Sequence, residues 1–141
     1  MSSLRETLAE AEQNHTAVGH FNVSDLVTLR AVFETARGLN LPVLVGVSEG
    51  EREFMGVRQT AAVVQSIRNE YGSPIFLNAD HTHTLAKAVE AATAGFDAIV
   101  FDNSTLPLPK IWTRPGRPSQ PRKPSTRKSR RTRSSQGHST R

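Results

Sequence analysis

The sequence predicts an α/β protein whose strands form a parallel sheet. Short apolar segments alternate with longer segments of helical periodicity, beginning with a helix and ending with a fourth strand. The inner strand segments are continuous apolar runs, which is typical of strands that are buried on both faces. This alternation implies right-handed crossovers, either in an open doubly wound sheet or in a (β/α)8 barrel. Periodicity alone does not separate the two.

Capping and breaking residues give the approximate limits of each element. Ser3 and Glu6 have capping-box spacing, and a first helix runs to about Asn14. We predict strands at 16–23, 43–47, 75–77 and 96–101, and further helices at 26–39, at 57–71 and from Thr82 or Thr84 to Gly95. Residues 48–51 read as a polar loop.

The composition divides the chain near residue 108. Residues 1–108 carry seven basic and 13 acidic residues, a net charge of −6, whereas residues 109–141 carry 11 basic residues and no acid. In the second part Pro115, Pro118, Pro121 and Pro124 recur among Arg, Lys, Ser and Thr. Such a segment cannot bury enough apolar area to offset its chain entropy. We expect a partial α/β domain at 1–108 and a disordered Pro/Arg/Ser-rich tail at 109–141.

The residue types present exclude several kinds of chemistry. Cysteine is absent, so the chain has no disulfide, no zinc-thiolate site and no thiol nucleophile, and any metal must bind through His, Asp or Glu. No run of about 18 apolar residues suggests a membrane span, and the first residues lack the apolar stretch of a signal peptide. A cytoplasmic enzyme without membrane association is the simplest expectation.

The densest polar cluster follows the third predicted strand. It contains Asn78, Asp80, His81 and His83, at the end where α/β folds place their ligands. A carboxylate beside an imidazole can move a proton close to a metal ion, because the cation stabilises the negative charge that develops. Taken by itself, an Asp-His pair is more often a loop carboxylate beside a helix-capping residue.

Polar residues also end the other three strands. Asn22 closes the first, Ser48 the second and Asp102 the fourth. Each could simply cap a loop. Parallel strands of one sheet bring their carboxyl ends together, however, so the set as a whole favours a site at one rim.

Four ordered motifs resemble the class II fructose- or tagatose-bisphosphate aldolases over residues 4–108. The motifs are Gly19-His20-Phe21-Asn22-Val23, the segment Val45-Gly46-Val47-Ser48-Glu49-Gly50-Glu51, Leu77-Asn78-Ala79-Asp80-His81-Thr82, and Ala98-Ile99-Val100-Phe101-Asp102-Asn103-Ser104 with Leu106-Pro107. The resemblance implies the N-terminal half of a (β/α)8 TIM barrel with about four parallel strands.

The resemblance also implies a role for each site residue. Asp80 matches the catalytic acid/base, His81 the first zinc ligand, and Asp102 a ligand of a second metal position. Asn22 and Ser48 match polar residues that line the dihydroxyacetone phosphate site. The family usually has His-x-Asp-His-Gly in the third motif, whereas this chain has Asn78 in place of the leading His and Thr82 in place of the Gly.

The implied reaction is the reversible aldol cleavage of a phosphorylated ketose. Fructose 1,6-bisphosphate or tagatose 1,6-bisphosphate would give dihydroxyacetone phosphate and glyceraldehyde 3-phosphate. Zinc would act as a Lewis acid, so no Schiff-base lysine is needed. In agreement, the only Lys before residue 109 is Lys87, which falls inside a predicted helix. The resemblance also implies that the full-length enzymes of the family are homo-oligomers.

We expect this chain to be truncated and to have little or no activity alone, since catalytic zinc takes three protein ligands and only one is evident. Read from the last base of the Pro109 codon, the codons of Lys110 to Thr113 become NAA, RAT, HTG and GAC, which can encode Glu, Asn or Asp, Met or Leu, and Asp and so fit the family's continuation. We therefore suspect a frameshift, in the gene or in its sequencing, near Leu108. The coding DNA tests this idea: a restored frame must continue the barrel with two further metal-spaced His residues.

Two other functions are compatible with the sequence. The Arg/Lys tail could bind nucleic acid or another acidic surface by neutralising phosphates. Trp112 is its only aromatic residue and no nucleic-acid-binding fold is recognisable, so we expect any such binding to be adventitious. Residues 1–108 could also form an interaction module without catalysis.

Overall fold

The computed structural model describes residues 2–104, so the predicted tail at 109–141 lies outside the described residues. Nine elements follow one another in this range. They are α1 (Leu4–Gln13), β1 (Gly19–Asn22), α2 (Leu26–Gly38), β2 (Val43–Val47), α3 (Glu49–Met55), α4 (Val57–Tyr71), β3 (Ile75–Thr82), α5 (Leu85–Ala94) and β4 (Ala98–Phe101). No helix among residues 2–104 is both long enough and apolar enough to span a bilayer.

The helix ends form where the capping residues predicted them. Ser3 and Glu6 make a complete capping box at α1, and the side chains of Asp25 and Thr84 accept backbone N–H groups at the starts of α2 and α5. Gly72 and Gly95 end α4 and α5 in the left-handed conformation, which glycine adopts without steric cost. Local chemistry therefore determines most of the boundaries.

The predicted polar loop at 48–51 was wrong. This segment begins α3, and Ser48 and Glu51 form a second capping box at its start. The Ser48 hydroxyl accepts the N–H of Glu51 over 3.4 Å, and the Glu51 carboxylate accepts the N–H of Ser48 over 2.9 Å. The helix has only seven residues, so its apolar periodicity is too short to stand out from a loop.

The sheet identifies which α/β architecture the chain adopts. All three strand pairs are parallel, and the order is β1-β2-β3-β4. The core lies on one face, where alternate side chains of β2 and β3 pack against α2 and α4; its largest members include Val45, Val47, Ile75, Leu77, Leu29, Phe33 and Val64. A doubly wound sheet reverses its strand order and covers both faces, whereas sequential strands with helices on one face form part of a barrel.

An ion pair joins α4 to the amino ends of β3 and β4. Arg68 on α4 pairs with Asp97, and its Nε donates to the carbonyl oxygen of Ile75 over 2.7 Å. The Asp97 carboxylate also accepts the N–H of Leu77 over 2.7 Å. This network joins α4, β3 and the turn before β4 at the end opposite to the predicted site.

The outer edge of β1 is exposed. All four of its residues are solvent-accessible, and among residues 2–104 no strand pairs with the side that faces away from β2. Between β1 and α2 lies a groove of about 430 Å³ with mainly apolar walls, which include Phe21, Leu39 and Leu41. In this part of the chain the sheet is therefore open where a closed barrel would continue.

Candidate active site

A β-bulge brings Asp80 and His81 together at the carboxyl end of β3. The sequence predicted that strand three ends before Asn78, but β3 continues to Thr82. Ala79 lies opposite Ile99, and the next pair is Thr82 with Phe101, so two residues of β3 oppose one residue of β4. His81 has φ of 45°. Adjacent strand side chains normally point to opposite faces, yet here His81 Nε2 lies 3.7 Å from Asp80 Oδ2.

Asp80 is buried and receives a hydrogen bond from another strand. Only 8% of the residue is exposed, and Nδ2 of Asn22 on β1 donates to Asp80 Oδ2 over 3.0 Å. The two residues are 58 positions apart in sequence. The structure therefore joins two of the predicted site residues directly, and the amide fixes the orientation of the carboxylate.

His81 connects Asp80 to the end of β4. Its Nδ1 lies 3.0 Å from Asp102 Oδ2, while Asp102 Oδ1 accepts the N–H of Ser104 over 2.8 Å. The hydrogen bonds from Ser104 and from His81 hold the pKa of Asp102 well below its usual range. The hydrogen bond to Asp102, together with the charge of Asp80, raises the pKa of His81. The imidazole is 60% exposed, so it faces the rim.

A second polar bridge, which sequence reasoning missed, lies beside the first. His20 on β1 reaches across β2, and its Nε2 lies 3.4 Å from Nδ2 of Asn78 on β3. Gly46 on β2 makes both bridges possible, because a Cβ atom there would collide with the side chains of His20 and Asn22. The signal in the sequence was a glycine in the middle of an apolar strand, which marks a close approach by other groups.

Arg52 holds the backbone of the bulge in place, and this role was also not predicted from the sequence. It is only 2% exposed, and its guanidinium donates to the carbonyl oxygens of Val47 and Asp80 and to Oγ1 of Thr82, the last two over 2.9 and 2.8 Å. Burial lowers the pKa of Arg52. No sequence signal indicated this role, because Arg52 lies between the predicted loop at 48–51 and the predicted helix at 57–71.

Two predicted residues stand apart from this network. Ser48 ends β2 as expected, but its hydroxyl caps α3. His83 is exposed, and its backbone N–H donates to the Glu49 carboxylate over 2.9 Å. His83 thus lies at the surface, whereas Asn22, Asp80, His81 and Asp102 form one continuous chain of contacts.

The donor set provides only part of a zinc site. Within residues 2–104, no three His, Asp or Glu side chains are arranged to hold a metal ion. Nε2 of His81 is a suitable ligand atom at an exposed position, and Asp102 fixes its other ring nitrogen, as carboxylates commonly do for metal-bound histidines. Catalytic zinc takes three protein ligands. The described residues therefore provide one zinc ligand, His81, and the Asp102 carboxylate that orients it, and they do not form a complete site.

Comparison with known proteins identifies the family. The family described as fructose-bisphosphate aldolase class-II matches residues 2–110. The chain belongs to this family. The fructose-bisphosphate aldolase of Staphylococcus aureus strain Mu50 is 32% identical over 108 residues, and the probable fructose-bisphosphate aldolase of Bacillus subtilis strain 168 is 33% identical over the same length. Each match covers 74% of this chain and 38% of the relative. The chain thus spans a little over a third of the length of these curated relatives.

Solved structures establish the fold of this aldolase-family chain. The YdjI aldolase from Escherichia coli K12 superposes with a TM-score of 0.69 at 21% identity, covering 78% of this chain and 42% of the other. Fructose-bisphosphate aldolase from Campylobacter jejuni gives 0.63 at 22% identity, covering 76% and 39%. The expected N-terminal half of a TIM barrel is confirmed.

Proposed function

We propose that the chain carries one side of the active site of a class II ketose-bisphosphate aldolase. The proposed reaction is the reversible cleavage of fructose 1,6-bisphosphate, or of its tagatose isomer, to dihydroxyacetone phosphate and glyceraldehyde 3-phosphate. The supporting observation is the bulge in β3, which joins Asp80 and His81 at the rim where barrel enzymes carry out their chemistry. Because the chain spans a little over a third of its relatives' length, we expect little or no cleavage by it alone.

Asp80 is our candidate for the acid/base. Proton transfer needs a carboxylate in a fixed orientation at the reacting hydroxyl, and the hydrogen bond from Asn22 to Oδ2 supplies that orientation. His81 also contacts Oδ2, which leaves Oδ1 to face the substrate hydroxyl. We propose that Asn22 and Ser48 line the dihydroxyacetone phosphate side of the site.

The proposed cofactor is zinc, with Nε2 of His81 as one ligand. When bound, the ion would polarise the ketose carbonyl and stabilise the enediolate charge. Asp102 is proposed as a ligand of a second metal position. In the described structure its carboxylate holds Nδ1 of His81 and so selects the Nε2 atom for coordination. A cytoplasmic setting and a homo-oligomeric full-length enzyme remain part of the proposal.

A Zn²⁺ titration of the full chain tests the metal ligand. We expect weak binding that His81→Ala abolishes, because it removes the exposed imidazole. His83→Ala is the matched control, since His83 is also exposed, lies two positions away and is not among the proposed ligands. Equal loss in both variants would reject His81 as the specific ligand.

A chimera tests the catalytic role. Residues 1–104 would replace the corresponding segment of the Staphylococcus aureus relative, and cleavage of fructose and tagatose 1,6-bisphosphates would be followed. We expect activity that is removed by chelation and falls at least a hundredfold in Asp80→Asn, since general acid–base catalysis contributes about that much. Activity that survives Asp80→Asn would exclude Asp80 as the acid/base.

A further inference from the structure

The second bridge across Gly46 contains a buried acceptor that the proposed mechanism does not use. Asn78 is 2% exposed, and its Nδ2 faces His20 Nε2 at 3.4 Å. Its Oδ1 has no hydrogen-bond partner in the described part of the chain. A buried amide oxygen left in this way costs about 1–3 kcal/mol, so a donor from outside would be bound favourably there.

The position of this oxygen indicates what the donor would be. Asn78 and Asp80 lie two residues apart on β3, and their side chains lie on the same side of the sheet, because both contact β1 side chains across Gly46. Their partners His20 and Asn22 are likewise two residues apart on β1, on the same side of the sheet over Gly46. A ligand at Asp80 thus extends over Asn78, and an acceptor without a charge suits a neutral hydroxyl donor.

His20 determines which atom of Asn78 is presented. Nδ2 of Asn78 donates to Nε2 of His20 when the imidazole carries its proton on Nδ1. That contact fixes the amide in the orientation that leaves Oδ1 without a hydrogen-bond partner in the described part of the chain. Without it, the amide could turn by 180° and present its NH₂ group instead.

We propose that Asn78 Oδ1 binds a hydroxyl group of the phosphorylated ketose next to Asp80, with His20 as the positioning residue for the amide. This subsite deepens the proposed function and rests on it for the identity of the ligand. It also accounts for the departure at position 78: the imidazole that the family pattern places on β3 is replaced by one from β1, which reaches the same strand across Gly46.

The positioning contact can be tested on the full chain without any ligand. Nitrogen-15 NMR of the imidazole rings reports which nitrogen of His20 carries the proton. We expect neutral His20 to have its proton on Nδ1, and Asn78→Leu to abolish that preference. A proton on Nε2 in the unchanged chain would overturn the positioning role.

Ligand binding tests the subsite itself, with fructose 1,6-bisphosphate as the probe and inorganic phosphate as a probe without carbon-bound hydroxyl groups. We expect Asn78→Leu to weaken sugar binding about tenfold, the equivalent of one hydrogen bond, and to leave phosphate binding unchanged. His20→Ala should act in the same direction, and His20→Gln, which restores an acceptor, should recover part of the loss. Asn69→Leu on the exposed side of α4 is the matched control.

The outcomes separate the subsite from the proposed function. If the unchanged chain and Asn78→Leu bind the sugar equally tightly, the subsite is rejected and the proposed function is not affected. No detectable sugar binding by the unchanged chain would reject the ligand assignment and count against the proposed function of these residues, whatever the tautomer of His20. Equal weakening for the sugar and for phosphate would indicate a general loss of structure and would also overturn the proposal.

Discussion

At the residue scale, the contact between His81 and Asp102 controls the charge at the rim. The imidazole receives its main stabilisation as a cation from the carboxylate 3.0 Å away, and Asp80 adds a second negative charge nearby. Protonated His81 is therefore favoured, and the pKa of the imidazole rises above its ordinary value of 6.5. Any ligand that needs the neutral imidazole must compete with this proton, so its binding weakens as the pH falls.

Replacing Asp102 should move the titration of His81. We expect Asp102→Asn to lower the pKa of His81 towards 6.5, because the amide removes the charge that stabilises the imidazolium. Proton NMR of the ring C–H signals gives the midpoint, and the signal of His83 in the same spectra serves as the internal reference. An unchanged His81 midpoint would show that the contact with Asp102 does not form in solution.

Gly46 should tolerate no side chain. Gly46→Ala places a methyl group where the side chains of His20 and Asn22 cross β2, so we expect a loss of about 1–3 kcal/mol in the free energy of unfolding, together with loss of both bridges. Gly50→Ala is the control, because nothing lies within 4 Å of its added Cβ and a helical alanine is favourable. Urea denaturation of the two variants provides the comparison.

At the element scale, the sequence predicted those features that local chemistry determines. The boundaries of β2 and α4 were predicted correctly, because apolar runs and glycine stops are local signals. The start of α3 and the bulge in β3 were not. The bulge depends on the pairing of β3 with β4 and on the contacts of Arg52 with Val47 and Asp80, which join distant parts of the chain. Residue spacing within one segment carries no such information.

Arg52 should be essential for the geometry of β3. Arg52→Met keeps most of the side-chain volume but leaves two backbone carbonyl groups and Thr82 without their donor, so we expect a loss of about 3 kcal/mol in the free energy of unfolding. Arg30→Met is the matched control, since Arg30 is exposed on α2 and makes only a surface ion pair with Glu34, worth less than about 1 kcal/mol. Chemical denaturation would contradict this view if both variants lost equal stability.

At the scale of the whole molecule, the sequence predicted four parallel strands but could not distinguish the two ways of arranging them. The choice depends on whether helices cover one face of the sheet or both, which follows from the handedness and order of all crossovers together. The candidate site, too, could be predicted only in part from the sequence. Asn22, Asp80 and Asp102 lie at the carboxyl ends of three strands and were expected at one rim. His20, Gly46 and Arg52 function through neighbours that only the folded sheet provides.

The open edge of β1 should make the chain self-associate. Unpaired strand edges and exposed apolar grooves both promote aggregation, and here the groove between β1 and α2 continues from the edge. We expect Phe21→Glu, which places a charge in the groove, to reduce light scattering at a given concentration. Phe54→Glu is the control, because Phe54 is 89% exposed on α3 and is not part of the groove. Equal effects of the two changes would locate the association elsewhere.

The left-handed backbone at His81 implies that conformational stability and cation binding favour different residues at this position. A non-glycine residue with φ of 45° carries strain of about 1–2 kcal/mol, and glycine would relieve it. Variant libraries of this chain that are screened only for resistance to heat or proteolysis should therefore enrich glycine at position 81. Libraries screened for retention of a divalent cation should instead keep histidine there, so the two selections would diverge at this codon.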